Sequence, residues 1–90
     1  MKRELIRGFA NRKPYLFWDI GKPEQLSDDA LVEIILTRGD FDDLLWLLSL
    51  LSIKEVSDIF FRQISQRRSN YKKRTLNYFK LFFERNSQNV

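Results

Sequence analysis

The chain reads as an all-α protein, a compact orthogonal bundle of four to five short helices. Three observations predict this. No alternation of apolar and polar residues lasts beyond a few positions, so no strand pattern is present. Helix-start signals recur at Ser27, Asp40 and Ser52, each just ahead of an apolar-periodic stretch. The junctions between those stretches hold only one or two residues, which forces consecutive helices to meet at steep angles and disfavours a parallel-sided four-helix bundle.

Residues 2–10 form the first, short candidate helix, with Leu5, Ile6 and Phe9 on one face. Gly8 weakens it, and Asn11 and Pro14 end it, because the residue before a proline avoids helical geometry. The run from Tyr15 to Ile20 is aromatic without a helical period and precedes Gly21 and Pro23. It reads as an extended segment or tight turn, anchored in the core by Leu16 and Trp18 or by Phe17 and Ile20.

Ser27 caps a helix over 28–38, with Asp28 and Asp29 in the first turn, where the helix dipole favours negative charge. Gly39 closes it in the left-handed conformation that glycine tolerates. Asp40 caps the next helix at once by accepting from an amide near Asp42 or Asp43. In the stretch from Asp40 to Leu51, eight of twelve residues are large and apolar, including Trp46. A helix apolar around most of its circumference must be covered by other elements, so the rest of the chain, or a partner chain, is expected to wrap this one, which can hardly lie at an edge. Ser52 and Glu55 form a capping box, followed by the apolar stripe Ile53, Val56, Phe60 and Ile64. Ser69 or Asn70 caps a last helix running to about Arg85, with Lys73, Asn77, Lys80 and Glu84 on its polar face; the tail 86–90 is expected to fray.

The whole chain, 1–90, reads as one domain. It contains no cysteine and no histidine, which excludes disulfides, His/Cys zinc sites, thiol nucleophiles and His-based triads. An absence of cysteine fits a cytoplasmic protein. The start, MKRELIRGFANRKP, lacks the apolar run of a signal peptide, and no stretch approaches the roughly 20 apolar residues of a membrane-spanning helix. The carboxylates Asp28, Asp29, Asp40, Asp42 and Asp43 all fall in caps or first turns, and no glycine-rich phosphate loop accompanies them. No catalytic, metal or cofactor residue is assigned, and the chain reads as a non-enzyme.

Charge is partitioned along the chain. The basic N-terminal segment 1–13 has five basic groups and one acidic, the middle 14–61 three and ten, and 62–90 eight and one. Such asymmetry signals either an interaction surface or basic ends folded back onto an acidic middle. Arg67, Arg68, Tyr71, Lys72, Lys73 and Tyr78 form the candidate partner-binding set, basic residues with aromatics between them. Their partner is another protein in the first reading and nucleic acid in the alternative, as for an autorepressor. The aromatic surplus of so short a chain also admits a homodimer.

Leu16-Phe17-Trp18-Asp19, then Gly39-Asp40 leading to Trp46-Leu47-Leu48, then Thr75-x-Asn77 with an aromatic, together resemble a family of small uncharacterised bacterial and archaeal helical proteins. The resemblance covers about residues 15–83. The family's last motif carries a tryptophan where this chain has Phe79, and the turn before it reads Arg68-Ser69-Asn70-Tyr71 here. Members are often encoded beside a nucleotidyltransferase-type toxin of the abortive-infection class. The resemblance therefore implies an antitoxin-like role for the chain as the partner of such a toxin.

Overall fold

A computed structural model describes residues 2–65 and 71–87. They form five helices: α1 (Lys2–Arg12), α2 (Asp28–Arg38), α3 (Phe41–Leu50), α4 (Ile53–Ile64) and α5 (Lys73–Ser87). Two short 3₁₀ turns, Pro14–Leu16 and Pro23–Gln25, lie between α1 and α2, and no strand occurs among the described residues. The radius of gyration is 12.8 Å, against about 12 Å for a compact domain of this length.

The caps act where the sequence places them. The Ser27 hydroxyl accepts from the Ala30 amide at 3.2 Å. Asp40 accepts from the Asp43 amide at 3.0 Å, and Asp43 returns the bond by accepting from the Asp40 amide at 2.9 Å. Ser52 and Glu55 make the matching reciprocal pair at the start of α4. Helices α2 and α3 are joined by Gly39–Asp40, and α3 and α4 by Leu51–Ser52, all four residues being extended.

Gly39 departs from expectation. Its φ is −86° and its ψ 176°, not left-handed. Space, not backbone freedom, requires a glycine there. A Cβ would stand 2.7 Å from the Ile35 carbonyl oxygen and 2.9 Å from the Asp43 side chain.

The central helix is α2, not α3. Leu31, Val32, Ile34, Ile35 and Leu36 are all buried, and α2 packs against α3, α4 and the Pro14–Leu16 turn. By contrast, α3 buries Asp43, Leu44 and Leu47 and leaves Phe41 and Leu45, one turn apart, 54 % and 49 % exposed. Its Trp46 is half-buried and stacks on Phe9 of α1, ring centroids 3.9 Å apart.

The aromatic run also packs differently from the expected alternation. The chain coils through the 3₁₀ turn, so the consecutive residues Leu16 and Phe17 both point inward while Trp18 is 77 % exposed. Arg38 lies over the Trp18 ring, forks onto the Asp19 carboxylate at 2.7 and 3.0 Å, and donates to the Leu16 carbonyl. In α1, Ile6, Phe9 and Ala10 face inward and Leu5 is exposed; the helix continues through Gly8 to Arg12.

At the other end, Phe60 of α4 is enclosed by Tyr71, Phe79 and Phe83, with centroids at 5.3, 6.2 and 5.3 Å. Such ring pairs add about 0.5–1.5 kcal/mol each beyond area burial. They seat α5 on α4. The expected caps Ser69 and Asn70 lie outside the described residues. Asn86 and Ser87, expected to fray, are part of α5.

The two helix-associated glycines should respond oppositely to alanine. Gly8→Ala meets nothing nearer than the Arg12 guanidinium at 3.9 Å and should stabilise by about 0.5–1 kcal/mol. Gly39→Ala must push a backbone carbonyl aside and should destabilise by about 1–3 kcal/mol. Urea unfolding of both variants checks the pair.

Candidate partner interface

The acidic middle finds its counter-charges mostly in the N-terminal segment. Lys2 pairs with Asp28, and Arg7 approaches Glu24 at 3.9 Å. Lys13 reaches the buried Asp43 at 3.2 Å and Asp40 at 4.0 Å. The Tyr15 hydroxyl and then the Asp43 carboxylate hold the Lys13 ammonium above its ordinary pKa. The Asp43 amide and the nearby Lys13 keep the Asp40 carboxyl below the usual range, and Arg38 does the same for Asp19. Arg62 of α4 grips Asp29 with two contacts of 2.6 Å.

The candidate acidic residues are thus spread over separate tasks. Asp40 and Asp43 close the α3 cap, while Asp28 and Asp29 hold cations. Asp42 is exposed. Among the described residues, no group of three or more ligating side chains could hold a metal ion.

The C-terminal cations behave otherwise. Lys72, Lys73, Arg74 and Lys80 are exposed and form no ion pair among the described residues. Their positions follow from the seating of α5. Phe79 and Phe83 turn toward Phe60, so the helical period carries Lys73, Asn77, Lys80 and Glu84 to the outer side. Arg74, Tyr78, Leu81 and Arg85 recur at spacings of 4, 3 and 4 along the adjoining strip, where Tyr78 and Leu81 are 54 % and 56 % exposed.

A groove of about 410 Å³ separates this strip from the start of α3. Phe41, Leu44, Tyr78 and Phe79 form its apolar walls, with Asp40 and Arg74 among its polar lining. A second hollow of about 360 Å³ lies on the far side of Tyr78, against Leu81 and Phe82. Tyr78 is the ridge between them.

Of the six residues predicted to bind a partner, the structure places Lys72, Lys73 and Tyr78 on the surface. Arg67 and Arg68 lie outside the described residues. Tyr71 is turned inward, 7 % exposed. Its hydroxyl donates to Gln63 Oε1 at 2.6 Å, and Gln63 Nε2 donates to the Asp29 carbonyl at 2.8 Å, a chain that ties the approach to α5 to α4 and to the start of α2. A basic neighbourhood made Tyr71 look like a surface residue, whereas its ring completes the cluster around Phe60. Phe41, Leu45 and Leu81 were missed. The available signal was Phe41 and Leu45 at i, i+4 on a helix too apolar for its neighbours to cover fully.

No family model matches the chain, and no curated protein or solved structure matches it either.

Burial, helped by the charges of Glu33 and Asp29, raises the pKa of the Tyr71 phenol well above the ordinary tyrosine value of 10.0. A folded-state pKa above the unfolded one gives stability that is full below the unfolded value and lost as pH rises beyond it. The native protein should therefore lose stability above about pH 10. Tyr71→Phe should cost about 1 kcal/mol at neutral pH, by stranding Gln63 Oε1, and should flatten the alkaline decline. Denaturant midpoints measured from pH 7 to 11 check both.

Proposed function

We propose that the chain is a small helical interaction protein that binds another protein through α5, in an antitoxin-like role and in the cytoplasm. One observation carries this reading: Lys2, Arg7 and Lys13 of the N-terminal segment are matched by the acidic middle, whereas Lys72, Lys73, Arg74 and Lys80 are left without counter-charges among the described residues. A row of unmatched cations beside exposed aromatic surface suits an acidic partner. Complementary charge speeds encounter, and buried apolar and arginine contacts supply most of the affinity. The resemblance in the Leu16–Asp19, Gly39–Asp40, Trp46–Leu48 and Thr75–Asn77 motifs adds the kind of partner, a nucleotidyltransferase-type toxin. No helix among the described residues is long and apolar enough to cross a membrane, and the composition contains no cysteine, which fits a reducing compartment.

The same cations favour a second reading, contact with nucleic acid. Lys73 and Lys80 stand about 10 Å apart along α5, at 1.5 Å per residue. A phosphate-bound complex would weaken by orders of magnitude between about 50 and 200 mM salt.

The test is co-expression with a nucleotidyltransferase-type toxin of the abortive-infection class. Co-purification and relief of growth arrest are expected. Lys72→Glu, Lys73→Glu and Lys80→Glu together should weaken the complex at least about tenfold while leaving the helical circular dichroism unchanged. No complex, or one indifferent to the three reversals, overturns the proposal. Binding of a random-sequence RNA or DNA duplex with a steep salt slope selects the second reading instead.

A further inference from the structure

Helix α5 carries large apolar residues on both of its sides. Phe79 and Phe83 turn onto Phe60 of α4, the helix on which α5 chiefly packs. On the outward strip Tyr78 and Leu81, one turn apart, are each more than half exposed. The Tyr78 ring is held from within α5, edge-on to Phe79 at 5.0 Å and stacked with Phe82 at 6.4 Å between centroids. Tyr78, Leu81 and Phe82 border the hollow of about 360 Å³. Cations frame the strip: Lys72, Lys73, Arg74 and Lys80 are exposed and in no ion pair among the described residues. The sole carboxylate in the α5 sequence is Glu84, near its end.

Resting on the reading above that α5 is the partner-binding element, we infer that the partner engages it with an acidic amphipathic helix. That helix lies along Arg74, Tyr78 and Leu81, so that α5 is sandwiched between it and α4. Charge sets the sign of the occupant: exposed cations with no counter-charge of their own favour carboxylates opposite them. Spacing sets its form. Arg74, Tyr78 and Leu81 follow one another at intervals of four and three, the contact line of one helix lying along another. Lys73 and Lys80 are seven residues apart, so two carboxylates seven residues apart on a partner helix, about 10 Å, face both. The hollow beside Tyr78 takes an apolar side chain of the same helix. An extended segment gains its affinity by pairing with a sheet edge, and no strand occurs among the described residues. A nucleic-acid backbone matches the lysines but gives Leu81 nothing to pack against and sets phosphate against the exposed Glu84. Exposed ion pairs contribute little affinity, so Tyr78 and Leu81 hold the helix and the cations choose its sign and register.

The probe is a synthetic peptide of about three heptads, with leucine at positions a and d and glutamate at e and g, where the like charges also keep it from pairing with itself. Titration calorimetry with the full chain should give a dissociation constant of about 10–100 µM. Exchanging every glutamate for lysine should abolish binding, and exchanging every leucine for serine should weaken it about tenfold or more. Leu81→Asp, and Lys73→Glu together with Lys80→Glu, should each raise the dissociation constant about tenfold or more. Arg3→Glu, at the exposed start of α1, should leave it unchanged. All these side chains lie on the surface, and circular dichroism verifies the fold of each variant. Absence of binding up to about 500 µM overturns the inference. So does binding that survives the serine exchange or the α5 variants, or a random-sequence DNA duplex that binds more tightly than the peptide. If the peptide fails while a toxin still co-purifies in dependence on Lys72, Lys73 and Lys80, the helical occupant is wrong and the reading above stands. If the peptide binds as expected and no toxin complex forms, the inference holds and the toxin is the wrong partner.

Discussion

One junction organises the molecule. At Gly39–Asp40 the Ile35 carbonyl, the Gly39 backbone and the Asp43 side chain crowd into a space that leaves no room for a Cβ. Asp43 is there because it closes the α3 cap, and the residue is only 1 % exposed, so its other carboxylate oxygen needs a nearby cation. Lys13 supplies it from just past the end of α1. Three helices therefore meet at one carboxylate: α2 ends there, α3 starts there and α1 is tied to it. The Phe9–Trp46 stack repeats the α1–α3 contact one helical turn further on. The direction of α3, and with it the face that Phe41 and Leu45 present to solvent, follows from this node.

Charge distribution along the chain divides the molecule by task. Much of the basic N-terminal segment is used internally: Lys2, Arg7 and Lys13 each face a carboxylate of the middle region. Arg38 and Arg62 are likewise used, pinning Asp19 and Asp29. Of the two explanations of the charge asymmetry, folding back onto the acidic middle accounts for these pairs. Folding pairs three of the five N-terminal cations and leaves the lysines of α5 outward, on a helix that also exposes Tyr78 and Leu81.

Helix boundaries were legible in the sequence wherever a cap fixes them by local chemistry. Ser27, Asp40 and Ser52 each satisfy backbone amides within four residues, so no knowledge of the tertiary fold is needed to find them. What was not legible depends on distant neighbours. Trp18 and Leu5 look like core residues by type, but a 3₁₀ turn and the register of α1 send them outward. α3 is more apolar than α2 in composition, yet α2 is surrounded, because burial depends on how many elements converge on a helix and not on its own sequence alone. The candidate interface was read through its lysines, which any outward face displays. Its apolar half was hidden because Phe41, Leu45 and Leu81 are indistinguishable from core residues until the helices are placed, and Tyr71 was misassigned for the converse reason.

The two-residue links between α2, α3 and α4 also bear on how fast the chain can find its native state. Three helices contiguous in sequence are neighbours in space, so little loop-closure entropy opposes their assembly. Topologies of this local kind belong to the class that folds in microseconds to milliseconds. The slower acts are the long-distance ones: α1 returning to the Pro23–Gln25 turn, and the Tyr71–Gln63–Asp29 relay locking across 42 residues of chain. The α2–α4 segment therefore carries the contacts that form first, and α1 and α5 those that close the molecule last.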